Sequence, residues 1–193
     1  MKSKLIGSVA VFSALLLFGL GCSRGEQERN YAIPAEVCDV PVAESAVEPL
    51  LPEGDSLAEK RPYSQDEGVE DFCALKVGKG YALTVSFDRD IGDGVDAMLA
   101  SDDYSNLKRA SFSGSVLSAG VGEDGAIVWL DCKPKSAQPQ TRPIGGAYES
   151  LVMELRVGKK GAEIKNPDQQ RQHIEDFVRA YLPGVEKAWC AGG

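Results

Sequence analysis

The chain has 193 residues, with 21 Lys and Arg against 29 Asp and Glu and a net charge of −8 at neutral pH. That is room for one ordinary domain with a full core. The acidic balance argues against nucleic acid and anionic lipid headgroups as partners, since both need clustered Lys and Arg; it leaves solubility, cation binding or basic partners.

The first 22 residues set the location. Lys2 and Lys4 make a short positive start, and Leu5 to Gly21 then runs without a charge, rich in Leu, Val, Phe and Ala. This is the layout of a secretory signal peptide. The apolar run of 17 residues sits at the bottom of the range for a spanning helix. Gly7, Ser8, Ser13, Gly19 and Gly21 weaken it further as a permanent span. Leu20-Gly21-Cys22 places a small residue before a cysteine and resembles the bacterial lipobox, although Gly19 stands where Leu is commonest. In a lipobox that cysteine receives diacylglycerol and becomes the mature N-terminus. Each buried CH₂ contributes about 0.8 kcal/mol, so two or three acyl chains hold a soluble domain on a membrane. Simple secretion and a retained anchor helix are the competing readings. The expected organisation is a signal peptide over 1–21, a polar tether over 22–30 and one extracytoplasmic domain over 31–193. Removing the leader takes away Lys2 and Lys4 and no acid, which leaves 172 residues at a net charge of −10.

Ser23 to Asn30 is wholly polar and reads as a flexible tether. Between Pro34 and Pro52, Ser45-Ala46-Val47-Glu48 fits a capping box, and Pro49 allows only a short helix near residues 43–50. Glu53 to Glu70 is polar and loop-like, with a strand around Ser56 to Arg61. Phe72 to Val77 and Tyr81 to Asp88 read as a hairpin joined by Gly78-Lys79-Gly80. Tyr81, Leu83, Val85 and Phe87 face one way, and Ala82, Thr84, Ser86 and Asp88 the other. Asp93 is placed to cap a short helix with Val95, Met98 and Leu99 on one face. Leu107 to Phe112 and Ser115 to Val121 read as strands broken by Gly114; Glu123-Asp124-Gly125 is a turn, and Ala126 to Cys132 a further strand. Lys133 to Gly146 is a long loop, basic in an acidic protein, before an alternating strand over Ser150 to Val157. The last helix is the best marked. Asn166 caps it, Pro167 takes its first position and Asp168 its positive end, while Ile174, Phe177, Val178 and Tyr181 give an i, i+3, i+4, i+7 stripe. Pro183-Gly184 is expected to break or kink it. Phe72 to Asp88 and Trp129 to Val157 share one pattern, a cysteine-bearing strand and then an alternating strand. The pattern suits an antiparallel sheet with helices on one face.

Four cysteines remain besides Cys22, namely Cys38, Cys73, Cys132 and Cys190, spaced by 35, 59 and 58 residues. An even number in an exported chain points to disulfides, and without a C-x-x-C a zinc site has no local support. Three pairings are open. Cys38–Cys73 with Cys132–Cys190 is favoured because each joins sequence neighbours and the second staples the last helix to the sheet. In the chain-entropy model each loop of this size stabilises by about 4 kcal/mol at most.

Few residue patterns carry chemistry. His173, the one histidine, falls on the polar side of the last helix beside Gln172 and Glu175, with no nucleophile or orienting acid in a recognisable pattern. Ser105-Asn106-Leu107-Lys108 matches S-x-x-K, but no S-D-N or K-T-G comes after it and Lys108 falls in a strand. Gly92-Asp93-Gly94-Val95-Asp96-Ala97 has the spacing of a dinucleotide loop, yet two aspartates occupy the place of a pyrophosphate and the preceding strand reads as hairpin-paired. Asp88, Asp90, Asp93 and Asp96 crowd one turn, as calcium ligands do, although the register is not that of an EF-hand; a solvated turn with acids at a helix start is the plainer reading. Lys133, Lys135 and Arg142 make the basic loop a candidate partner contact, against the plainer reading of a disordered connector. No catalytic residue, metal or cofactor is expected.

The lipobox cysteine, the polar tether, Val37-Cys38-Asp39-Val40-Pro41, Phe72-Cys73 in a strand and a terminal helix ending at Cys190 together resemble actinobacterial exported lipoproteins of unknown function. The resemblance implies location and fold and no activity; its one transferable functional residue is Cys22. The expectation is an α+β domain, a mainly antiparallel sheet with the C-terminal helix packed on one face, held by lipid on the outer side of the cell membrane. Its expected role is non-enzymatic, binding or accessory, with a protein partner at the cell envelope. A small-ligand or cation-binding lipoprotein and a cell-envelope hydrolase are the alternatives.

Overall fold

A small hairpin opens the fold, β1 (Glu36–Val37) against β2 (Val40–Pro41), succeeded by the single-turn helix α1 (Glu44–Val47) and a 3-10 turn over Glu48–Leu50. Seven strands then form one sheet: β3 (Leu57–Lys60), β4 (Asp71–Val77), β5 (Gly80–Arg89), β6 (Lys108–Ala110), β7 (Val116–Val121), β8 (Gly125–Asp131) and β9 (Ser150–Val157). Their order is β3-β4-β5-β9-β8-β7-β6, and every neighbouring pair is antiparallel. Two meanders therefore meet at β5 and β9. Helix α2 (Gly94–Leu99) links the halves and α3 (Pro167–Trp189) closes the chain. The computed structural model describes residues 29–61, 71–89, 94–133, 150–158 and 163–191. The leader, Cys22, most of the tether, Asp90, Asp93, Lys135 and Arg142 lie outside the described residues.

The class is the expected α+β, and α3 packs its apolar stripe on the sheet. Ile174, Phe177, Val178 and Tyr181 are buried, and the stripe continues through Leu182, Val185 and Trp189. Beneath it lie Leu83, Val85 and Phe87 of β5 and Leu151, Met153 and Leu155 of β9, each set at the two-residue period that sends alternate side chains to one face. Phe87 and Trp189 rings meet at 4.8 Å between centroids.

Two details of the local patterns come out differently. Tyr81 leaves the inward set and is 52 % exposed, while Ala82 is buried. Leu75 pairs with Leu83 but Lys76 pairs with Tyr81, so Ala82 is the extra residue of a bulge that shifts the alternation by one. Also, helices occupy both faces rather than one. Val95, Met98 and Leu99 of α2 pack with Ile127, Trp129 and Val152, which alternate with the α3-facing side chains of β8 and β9.

Pro183-Gly184 neither ends nor breaks α3, which runs on to Trp189. Gly184 is there for close approach. A Cβ at this position would stand 2.5 Å from Val40 Cγ1 and 3.0 Å from the Pro41 carbonyl, so only glycine lets the helix lie on β2. Side-chain capping also departs from the expectation. Ala43, not Ser45, is the N-cap of α1, and neither Ala43 nor Asn166 makes a side-chain cap bond. Asn166 Nδ2 donates instead to Gln169 Oε1 at 2.9 Å, while its backbone carbonyl accepts from the Gln170 N–H at 2.9 Å.

The β1–β2 turn is tightly constrained. Cys38 and Asp39 have φ of 58° and 60°, the left-handed pair that a two-residue hairpin loop needs and that normally selects Asn-Gly. Such a conformation costs a non-glycine residue about 1–2 kcal/mol. Several contacts hold it. Cys38 is disulfide-bonded to Cys73 of β4, and its N–H donates to Glu59 Oε2 at 3.1 Å. Arg61 pairs with Asp39 at 2.5 Å, and the buried Tyr181 hydroxyl donates to the Val37 carbonyl at 2.9 Å. The second disulfide, Cys132–Cys190, ties the end of β8 to the residue after α3, and the Ala191 N–H donates to the Lys133 carbonyl beside it at 2.6 Å. Both bonds join the cysteines that are neighbours in sequence. Arg29 and Asn30, placed in the tether by composition, are docked on the domain. Asn30 bonds Gly54 and Asp55, and Arg29 bonds Glu48 and Leu51.

This packing has measurable consequences. Alanine normally gains about 1 kcal/mol over glycine inside a helix, but Gly184→Ala is expected to destabilise by about 1–3 kcal/mol through overpacking. A thermal melt at or above the wild-type midpoint would contradict the close-approach account. Cys132→Ser with Cys190→Ser is expected to cost about 2–5 kcal/mol by denaturant titration. In the untreated protein a thiol reagent should find none of the four domain cysteines reactive.

Candidate functional site

β9 ends at Val157, and Gly158, at φ 69°, turns the chain away while its N–H donates to the Ala82 carbonyl at 2.8 Å. Helix α3 starts at Pro167, and its first turns and those strand ends line one space. A groove of about 440 Å³ opens there. Its floor is Ala82 with Val157, and Tyr81 stands at the rim. One wall is Pro49 to Pro52, the segment after α1. The facing wall is the polar flank of α3, where Asn166, Gln169, Gln170 and His173 fall at i, i+3, i+4 and i+7 and so share one stripe.

The two walls differ in chemistry. The proline-leucine wall is apolar in side chain, and the Leu51 and Pro52 carbonyls are already bonded to side chains of the chain itself. Arg29 donates to the Leu51 carbonyl at 2.8 Å and to the Glu48 carbonyl at 3.2 Å, and the Tyr31 hydroxyl donates to the Pro52 carbonyl. On the α3 wall, Gln170 and His173 are half-buried and make no side-chain hydrogen bond within the described residues. Glu163 and Lys165 bring one charge of each sign to the rim. Tyr81 carries the Lys76 ammonium 5.0 Å from its ring centroid. The site therefore offers an apolar floor, one aromatic ring and several groups that both donate and accept hydrogen bonds.

No family model, curated protein or solved structure matches this chain.

Of the residues singled out in the sequence, His173 is on the polar side of α3 as its spacing required, but it lines the groove rather than open surface. Ser105 and Lys108 are not joined. The Ser105 hydroxyl donates to Asp124 Oδ2 at 3.0 Å, and Lys108 is exposed at the start of β6. The strand before the glycine-aspartate turn, β5, is antiparallel to both its neighbours, which is not the setting of a dinucleotide loop. Asp88 lies in β5 and Asp96 in α2, where Asp96 pairs with Arg109; Asp90 and Asp93 lie outside the described residues. Among the described residues no three His, Cys, Asp or Glu side chains are placed to hold a metal ion.

A second polar cluster, on the α2 side, was not legible in the sequence. Asp124 is buried, and both its oxygens accept from Ser105, from the N–H at 2.8 Å and from the hydroxyl at 3.0 Å. Next to it Tyr104 is buried under the Arg156 guanidinium, 3.4 Å from the ring centroid, and its hydroxyl donates to Glu154 Oε2 at 3.1 Å. Gly125 makes room for the ring, since a Cβ there would stand 2.8 Å from Tyr104 Cε1. These bonds fasten the loop after α2 to the β7–β8 turn. Burial, and after it the negative charge of Glu154, pushes the Tyr104 phenol well above its ordinary value of 10.0.

That shift has a sign. The raised phenol contributes stability that is fully present below pH 10 and is lost as pH rises above it, because the unfolded chain ionises first. Tyr104→Phe is therefore expected to flatten the fall in stability above about pH 10, read by denaturant titration at stepped pH. An unchanged alkaline slope would show that Tyr104 is not the group responsible.

Proposed function

We propose that this chain is a membrane-anchored extracytoplasmic lipoprotein with a binding or accessory role rather than a catalytic one, and that the groove between α3 and the Pro49–Pro52 segment is its binding site. The observation that carries the binding reading is the α3 wall, where Gln170 and His173 stand half-buried over an apolar floor with their hydrogen-bonding capacity unspent within the described residues. Small-molecule sites are commonly of this kind, concave and mostly apolar with a few converging polar groups. The leader supports the anchoring half, with Lys2 and Lys4, an uncharged run and Gly21-Cys22 at its end.

Anchoring and groove are linked by distance. Seven residue steps separate Cys22 from Arg29, a reach of at most about 25 Å when fully extended. Arg29 is bonded to Leu51 in the groove wall. An acylated Cys22 would thus hold the groove close to the bilayer surface, facing what the membrane and the envelope present there.

Expression of the full chain in an exporting bacterium tests the anchoring. The wild-type protein is expected in the membrane fraction, with its N-terminal peptide starting at Cys22 and carrying the mass of diacylglycerol. Cys22→Ser should release it to the soluble fraction. An unmodified Cys22 with the leader still attached would refute the lipoprotein reading.

A further inference from the structure

We propose that the groove takes an uncharged saccharide, stacked on Tyr81 and hydrogen-bonded by Gln170 and His173, an inference that rests on the binding reading above. The chemistry of the lining selects the class. Sugar hydroxyls each donate and accept, so they are best met by side chains that also do both. The amides of Gln169 and Gln170 and the imidazole of His173 are of that kind. Sugars also present an apolar C–H face, and the rim supplies an aromatic ring, Tyr81, that the Ala82 bulge has turned outward to 52 % exposure. An aromatic with an apolar body and a polar tip suits such a half-wet surface.

Charge narrows the choice. Among the described residues the rim carries Glu163 and Lys165, one charge of each sign, with Lys76 at the Tyr81 ring as a single further cation, and these form no cluster to hold a phosphate or carboxylate. The chain as a whole is acidic, at −8, which repels anions further. A fatty chain fits poorly, since one whole wall is amide and imidazole whose desolvation would go uncompensated. An extended peptide is the closest competitor, because its backbone also donates and accepts. Peptides are commonly captured at open strand edges, however, and the strands ending at the groove, β5 and β9, are paired on both sides.

The test uses the acylated protein in phosphatidylcholine nanodiscs, with no sugar-based detergent. Saturation-transfer NMR is run with the N-acetylglucosamine disaccharide free in solution, with the same disaccharide carried on diacylglycerol in the disc, and with trialanine. Transfer to the sugar ring protons is expected in at least one of the two sugar arms. Transfer only on the lipid-borne form identifies a membrane glycolipid as source, and transfer to the free form a soluble or wall glycan. Tyr81→Ala and, separately, Gln170→Ala with His173→Ala should each weaken binding about fivefold or more. Leu117→Ser, on β7 at the far side of the sheet, should leave it unchanged. All these positions are exposed or half-buried, so the variants are expected to melt like wild type. Sugar binding untouched by the groove variants overturns the site. Binding of trialanine without either sugar overturns the ligand class and leaves the groove as a binding site. Silence in every arm overturns the saccharide inference, while Cys22 acylation remains a separate result.

Discussion

The structure depends on the burial of one face of α3. Ile174, Phe177, Val178, Tyr181, Leu182, Val185 and Trp189 are all removed from water, and each such side chain contributes about 1.5–3 kcal/mol relative to exposure. Everything else is positioned by that contact. The sheet must present Leu83, Val85, Phe87, Leu151, Met153 and Leu155 on one side to meet it. The β1–β2 hairpin can lie on the helix only because Gly184 has no side chain, and the Tyr181 hydroxyl then reaches the Val37 carbonyl. The helix end must return to β8, where Cys190 meets Cys132. Glu186 adds a polar tie by accepting from the Ser115 N–H and hydroxyl, both at 2.7 Å.

The proline and glycine near the end of α3 therefore have a tertiary meaning that local rules miss. Proline lacks the N–H for one helical bond and glycine has low helix propensity, so a local reading ends the helix there. The buried stripe runs past both and outweighs them, since most helical stability in proteins comes from packing rather than propensity. The same reasoning explains the missing caps. Helices held by packing keep their registers without Ser45 or Asn166 bonding the first turn, and the Asn166 side chain is drawn to Gln169 instead.

What was legible in the sequence was whatever depends on period. The stripe of α3, the alternation of β5 and β9, the hairpin at Gly78 to Gly80 and the even count of cysteines all repeat at intervals that a linear reading detects. The Ala82 bulge breaks such a period by one residue, and only the pairing with Lys76 reveals it. Asp124 with Ser105, and Tyr104 with Glu154 and Arg156, are pairs between residues 19, 50 and 52 positions apart, with no spacing to mark them. The groove was hidden for the same reason. Its two walls come from residues 49–52 and 166–173, and its floor from the ends of β5 and β9, so no single stretch carries its signature. His173 was placed correctly on the polar flank of its helix, yet what that flank looks onto is decided by Pro49 to Pro52, more than 100 positions away.

The Arg29 contact gives the groove a further physical meaning if the chain is held at a membrane. A site with a few hydrogen bonds and one aromatic ring binds weakly in free solution, because the entropy of association consumes most of what those contacts supply. Tethering changes that balance for any ligand confined to the same surface. Confinement of site and ligand to one thin layer raises the local concentration above that in free solution, by an amount set by the ligand's surface density. Arg29, Asn30 and Tyr31 bond to Glu48, Leu51, Pro52 and Gly54 instead of extending away from the domain. On the proposed reading, a half-polar groove of about 440 Å³ can serve at such a local concentration without great intrinsic affinity.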